Sequence, residues 1–361
     1  MLLLLLACSG EPGDSSAPSS GVPSWMPDAS IVVDEGQATG DIAAAVLMDQ
    51  STAVIELGRD GVVSWGSELP GFAAPSWVGL DGEDLLYNVH VHDRRSEGGQ
   101  AVRVRRGGFS REAVAVDTPA AHHALAPLPE GGVAWVAVGF RAADVDGELL
   151  EIAGDRLMER DAQGNEREVY NFFEDYGREP WRQCSHFDST NYYPDAKDWT
   201  HVNSLVYQPW DDSYLVVARH LDALLKIDRA SGELVWQMGG LDDDFTWIGE
   251  PLDHPHLSQT WEGGLVVFDN GDHREPQASR VVELAIDEEA RTVEVIWEHA
   301  QEDGEFLALL GDVKRLDDGH TLISWTDLGR LDQLDQSGQL IWRAELPLGT
   351  VFGRVDHAAR R

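Results

Sequence analysis

A pattern that returns about every 50 residues limits this chain more than any other feature, because such a period belongs to repeat architectures. One half of the pattern is a strand, a Gly-containing turn and a second strand that ends in Trp. It reads Val54-Ile55-Glu56-Leu57-Gly58-Arg59-Asp60-Gly61-Val62-Val63-Ser64-Trp65 and returns as Leu225-Lys226-Ile227-Asp228-Arg229-Ala230-Ser231-Gly232-Glu233-Leu234-Val235-Trp236. Further copies cover 282–297 and 334–342, ending in Trp297 and Trp342, and a fifth around Asp161 and Gly164 ends near Tyr170. The other half is an acidic Gly-type turn before a strand-forming run. Its copies are Asp81-Gly82-Glu83-Asp84-Leu85, Pro129-Glu130-Gly131-Gly132-Val133, Asp211-Asp212-Ser213-Tyr214-Leu215, Glu262-Gly263-Gly264-Leu265 and Asp317-Asp318-Gly319-His320-Thr321. Both halves are hairpin signals.

Two hairpins per period make a four-stranded blade, so the expected fold is all-β, a six-bladed β-propeller of four-stranded antiparallel blades over 29–361. Five blades are visible. The sixth is expected from N-terminal strands between Ile31 and Met48 joined to C-terminal strands after Trp342, since a ring leaves no open sheet edge. The repeated Trp residues are expected as wedges between blades. An insertion is expected over 174–198, where the spacing of the second half-repeat lengthens.

The N-terminus, Met1-Leu2-Leu3-Leu4-Leu5-Leu6-Ala7-Cys8, resembles a bacterial lipoprotein signal in which Cys8 is lipidated. It lacks the usual positive leader, so the true start is expected upstream. The apolar run is too short to span a bilayer, which takes about 20 residues. A Ser/Gly/Pro-rich tether follows, giving a signal over 1–8, a tether over 9–28, and a chain lipid-anchored in the bacterial cell envelope, facing the periplasm or exterior. The cysteines number two, Cys8 and Cys184, which excludes a disulfide framework and a cysteine-based zinc site. With 27 Lys+Arg against 64 Asp+Glu, the net charge of -37 repels nucleic acid and anionic membranes. An anionic ligand therefore needs a local group of donors, which singles out any Arg among polar site residues.

Histidines supply that setting. His122-His123, His201 and His254-Pro255-His256 each precede a copy of the acidic turn, at equivalent places in successive blades. A propeller gathers such positions at one mouth of its channel.

The segment Asp198-Trp199-Thr200-His201-Val202-Asn203-Ser204, then Ala218-Arg219, then Val235-Trp236-Gln237-Met238-Gly239-Gly240, resembles the bacterial arylsulfate sulfotransferase family. Phe268-Asp269-Asn270-Gly271 with Ser279-Arg280 and the upstream His122-His123 extend the match to 121–342, with 198–280 its specific part. The resemblance implies a six-bladed propeller that moves a sulfuryl group from an aryl sulfate to a phenol through a sulfated histidine, with no nucleotide donor and no cofactor. It matches His201 and Asn203 to the family's His-x-Asn pair, Arg219 to its anion-binding Arg, and His123, with His122 as the alternative, to an upstream His. Its nucleophilic His falls between His254 and His256; His256 is taken as nucleophile, and His254, His122 and Arg280 as substrate-binding.

The chemistry agrees. Sulfuryl transfer resembles phosphoryl transfer, with a loose transition state and charge spread over three oxygens. A neutral imidazole divides one difficult step into two. Arg219 presents a fork of donors, Asn203 and His201 donate further, and His123 serves as acid and then base. Three other readings stay open. His90/His92 or His254/His256 as strand pairs suit a metal, although Arg219 opposes a cation and no metal is expected. A quinone-dependent dehydrogenase shares the Trp hairpins, but such enzymes usually need a vicinal disulfide or a calcium carboxylate cluster, and this chain has no adjacent cysteines. A non-catalytic surface propeller that binds glycan or protein is the alternative of another class. Asp269-Asn270-Gly271 reads more readily as a simple turn, and Arg280 equally as a partner for buried acid.

Overall fold

The computed structural model describes residues 19–20, 22–48, 51–69, 73–74, 77–82, 84–91, 98–105, 112–177, 184–189, 192–301 and 304–358. Cys8, most of the tether and His92 lie outside them.

Six antiparallel sheets form the blades of a six-bladed propeller. Blade 2 is built on Asp84–Val91 and Gly99–Val104. Blade 3 runs Ala121–Pro127, Val133–Val145, Glu148–Arg160 and Glu166–Asn171. Blade 4 runs Val202–Gln208, Ser213–Ala218, Ala223–Asp228 and Leu234–Gly239. Blade 5 runs Pro255–Trp261, Gly264–Asp269, Arg280–Asp287 and Thr292–Ala300, and blade 6 starts at Asp312–Arg315 and ends at Leu340–Glu345. Each turn of the first half-pattern carries an Asp, namely Asp60, Asp161, Asp228, Asp287 or Asp335, that caps the backbone beyond it. Asp228 Oδ1, for example, accepts from the Ser231 N–H at 2.7 Å.

Closure departs from the single composite blade expected. Two straps close the ring. The C-terminal strand Thr350–Ala358 becomes the innermost strand of blade 1, beside Asp41–Met48. The N-terminal strand Ser30–Asp34 instead pairs with Leu340–Glu345, at the outside of blade 6. Ile31 thus belongs to a different blade from Met48, because the chain crosses the seam between them.

One hydrophobic cluster spans each blade–blade interface, and the ring has no weak joint among the described residues. Trp65, Trp236 and Trp342 are buried in these interfaces, as wedges. At the seam, Trp342 Nε1 donates to the Arg59 carbonyl at 3.0 Å while the Arg59 guanidinium lies over the indole. The lengthened spacing has two sources. The inserted segment over 174–198 is one, and the other, not expected, is a blade 3 hairpin whose central strands are 13 residues each.

Alternating strand direction sorts the connections into two ends. The repeated turns all lie at one end. The starts of the innermost strands, the loops between second and third strands, and the insertion all lie at the other, here the histidine end.

Candidate active site

In blades 3, 4 and 5 the innermost strand opens with a histidine in the left-handed region: His123 at φ 48°, His201 at 47° and His254 at 50°. That conformation costs a non-glycine residue about 1 kcal/mol or more. A register shift follows in each strand, between Ala121 and Leu125, Val202 and Ser204, and His256 and Ser258. A bulge turns a side chain away from the regular pleat, and here three do so at equivalent places. The repeat seen in the sequence is therefore a repeat of backbone strain as well.

The rings so placed form a continuous buried array. His123 and His201 are 4.7 Å apart by centroid, and His201 stacks on His220 at 4.6 Å. His186, from the insertion, lies 5.0 Å from His254. Tyr192, also from the insertion, lies 5.1 Å from both His123 and His201.

Hydrogen bonds fix the tautomers along one chain. Asp155 is ionised: burial opposes this, but His122, Thr200 and the Val202 N–H together hold its carboxyl below the ordinary range. As an acceptor only, Asp155 takes the Nε2–H of His122 at 2.7 Å. The Nδ1 of His122 then accepts from His123 Nδ1–H at 2.8 Å, which leaves His123 Nε2 to accept from the Tyr192 hydroxyl at 3.2 Å. On the other flank His201 donates Nδ1–H to Asp198 at 2.6 Å. Burial raises the Asp198 carboxyl to about 6, so it is still ionised at neutral pH.

His254 and His256 differ in what their nitrogens do. His254 has its Nε2 engaged, 2.9 Å from the Cys184 sulfur, while its Nδ1 lies at ion-pair distance, 3.0 Å, from Asp272 Oδ2 without hydrogen-bond geometry. Burial pushes the Cys184 thiol up to about 12, so it is the S–H that donates. His256 donates Nδ1–H to the Gly311 carbonyl at 3.1 Å, and Nε2 has no partner among the described residues. Gly311 at φ 96° is required there, since a Cβ would meet the Phe268 ring at 2.4 Å. Burial first, then Arg354 and Arg219, push the His256 imidazole well below its usual range. It is a neutral ring with its lone pair on Nε2.

Two guanidiniums share this interior. Arg219 sits in the turn after Ser213–Ala218; one Nη donates to the Ala308 carbonyl at 2.8 Å and faces Asp272 at 3.6 Å. Arg354 comes from the C-terminal strand at its own register shift, and donates to the Asn203 carbonyl at 2.6 Å. Asn203 Nδ2 in turn donates to the Pro255 carbonyl at 3.1 Å, next to His256. Burial pulls Arg354 down to about 10, Asp312 opposing, and it stays charged at neutral pH. The Nε atoms of Arg219 and Arg354 and the Oδ1 of Asn203 are buried without partners. Buried donors on a charged group are seldom left unmade, so the two guanidinium Nε–H groups are open to an acceptor.

The chain matches the arylsulfotransferase (ASST) family over residues 107–345. It belongs to that family. This arylsulfotransferase-family chain is also similar to the arylsulfate sulfotransferase AssT of Escherichia coli O6:H1 (strain CFT073). The two are 31% identical over an alignment of 148 residues that covers 30% of this chain and 24% of the relative, so the chain spans about a quarter of that protein. Among solved structures it is similar in fold to a Bacteroides caccae protein of unknown function, at TM-score 0.52 and 14% identity over 87% of this chain and 98% of that one. It is likewise similar to TolB from Acinetobacter baumannii, at TM-score 0.54 and 9% identity over 89% and 67%.

Within the arylsulfotransferase fold, His122, His123, His201, Asn203, Arg219, His254 and His256 come together at the histidine end. Arg280 does not join them. Its Nε meets Asp269 at 2.9 Å, and its other nitrogens serve Glu298 and the carbonyls of Glu250 and Pro251. Asp269-Asn270-Gly271 is a turn whose Asn270 amide ties the loop before blade 6, donating to the Leu307 carbonyl at 2.7 Å. Reasoning from sequence missed Tyr192, His186, His220, Asp155, Asp198, Asp272 and Arg354. His220 and Asp198 had a signal, lying beside Arg219 and three residues before His201. Arg354 had none, standing in a segment assigned only to closing the ring.

Proposed function

We propose that this chain transfers a sulfuryl group from an aryl sulfate ester to a phenolic acceptor, independently of any nucleotide, with His256 as nucleophile. The observation that carries the reading is the His256 ring: neutral, oriented by Gly311, its Nε2 unengaged among the described residues, and under the influence of two buried guanidiniums with unmade donor bonds. In the first step the Nε2 lone pair bonds to sulfur, the sulfur–oxygen bond to the aryl group breaks, and a phenolate leaves with the electron pair. Arg219 and Arg354 hold the sulfuryl oxygens where charge accumulates. In the second step the acceptor phenol attacks sulfur, the nitrogen–sulfur bond breaks, and His256 is restored.

The resting tautomers suit the chain from Asp155 to Tyr192 to accepting a proton rather than giving one. The acceptor hydroxyl loses its proton toward Tyr192 and the His123–His122 pair, while Asp155 stays ionised, orients His122 and stabilises the positive charge that the pair takes up. That proton returns to solvent, where it balances the phenolate released earlier. His201 lines the site with its Nδ1–H held by Asp198.

We infer further that Cys8 carries a lipid that anchors the chain in the bacterial cell envelope, the 9–28 segment serving as tether. No helix among the described residues is long and apolar enough to cross a membrane.

Exposure to a chromogenic aryl sulfate without acceptor, followed by intact-mass measurement and peptide mapping, tests the reading. One added sulfuryl group on the peptide that holds His256 is expected. A label on His254, or no phenol release with any acceptor, overturns it.

A further inference from the structure

We propose a transition-metal site of Cys184, His254 and His273 at the border between the insertion and blade 5. The Cys184 sulfur lies 2.9 Å from His254 Nε2 and 3.8 Å from His273 Nε2, and the three donor atoms all lie within 4.8 Å of one another. Around a tetrahedral zinc with bonds of about 2.0–2.3 Å, ligand pairs sit roughly 3.3–3.6 Å apart, a spacing the two sulfur–nitrogen distances straddle. One thiolate and two imidazoles form a borderline-soft donor set, suited to zinc or cobalt and unsuited to magnesium or calcium. Counting cysteines excluded a cysteine-based zinc site, but a mixed set needs only one.

The surroundings carry the argument further. Metal-bound imidazoles usually present their other nitrogen to a carboxylate, which fixes the ring and its tautomer. Both rings here do so. His254 Nδ1 is 3.0 Å from Asp272 Oδ2, and His273 Nδ1 is 3.5 Å from carboxylate oxygens of both Asp222 and Asp253. Three donor atoms therefore converge on one point while the backs of both rings are held by acid. Those three carboxylates also supply the negative field that a divalent ion needs beside Arg219. Binding releases the Cys184 proton to solvent and leaves a fourth position for water. It fastens the Ser185–Asp188 turn, which brings His186 to the site, onto the loop after Gly264–Asp269.

The test uses the full chain, free of any polyhistidine tag, stripped with a chelator and titrated with zinc(II) by calorimetry and cobalt(II) by absorbance. The expected result is one ion per chain, a thiolate-to-cobalt charge-transfer band, and the intense visible bands of a tetrahedral ion. Cys184→Ser should abolish the charge-transfer band. His273→Gln, at the exposed rim and so tolerant of change, should weaken zinc by on the order of 100-fold. Absence of the charge-transfer band in the parent chain, or unchanged zinc affinity in His273→Gln, overturns the proposal. Because the readout involves no aryl sulfate, it stands or falls separately from the transferase reading.

Discussion

The two ends of the propeller are held by different kinds of bond. At the hairpin end, polar groups serve neighbours: Asp161 caps the Asn165 N–H four residues on, Asp228 the Ser231 N–H three on, and Asp335 the Ser337 N–H two on. At the histidine end the partners are remote. His256 reaches Gly311 across 55 residues, Arg219 reaches Ala308 across 89, and Arg354 reaches Asn203 across 151. The first kind of bond forms as soon as its turn forms and satisfies itself. The second forms only once separate blades have packed together. Local bonding builds the scaffold, and long-range bonding with its residual strain builds the site.

That contrast breaks most visibly at His256. His256→Ala should lower transfer by about 10,000-fold or more while a cooperative unfolding transition survives, read by phenol release and thermal melting. Retention of activity would move the chemistry elsewhere in the array. Next in size is Arg354→Lys, which keeps the charge and loses the fork. A fall in kcat of about 100-fold is expected, with a smaller change in KM for the donor. Tyr192→Phe should slow transfer by about 10-fold, most for weakly acidic phenols, and an acceptor series comparing phenols of differing acidity checks this.

Acidity separates the ends in another way. Burial, followed by neighbouring charges, depresses His123, His201, His220 and His256 well below 6.5. Transfer should therefore persist in weak acid, its midpoint falling below pH 6.5. Stability follows the opposite course. Unfolded, these four imidazoles bind protons from about pH 6.5 downward. Folded, they do not, so acidification from that point favours unfolding until the depressed values are reached. Asp198, raised to about 6, works against this over its own window from 3.8 upward, as do the raised carboxyls of Asp269, Asp312 and Asp327, while the depressed His254 and His299 add to the four. Urea titrations between pH 7 and pH 5 should show the midpoint falling. The smallest effect belongs to the hairpin end: Asp228→Ala should leave transfer unchanged and lower the melting temperature by no more than about 2 °C.

The same division explains what the sequence made legible. Turns such as Asp228 to Gly232, and the Trp wedges after them, are local in origin, so their spacing displayed the architecture directly. His123, His201 and His254 were legible because they ride on that repeat. Tyr192 and Arg354 were not, since one belongs to the insertion and the other to a strand whose blade partners lie some 300 residues earlier in the chain, as Thr350 opposite Met48 illustrates. The choice between His254 and His256 could not be read from spacing, because it turns on which ring nitrogen is already engaged. The double closure was half legible: both termini were expected at the seam, but not that each would join a different blade.

The strand Thr350–Ala358 does two jobs, filling the inner place of blade 1 and delivering Arg354. A ribosome reaches it after every other described strand. A nascent or truncated chain without it can therefore assemble most of its blades and every histidine of the buried array, yet it still lacks Arg354. On the proposed mechanism, competence arrives only once this strand is made and seated, so a fragment that stops short of it keeps most of the shape without the complete site.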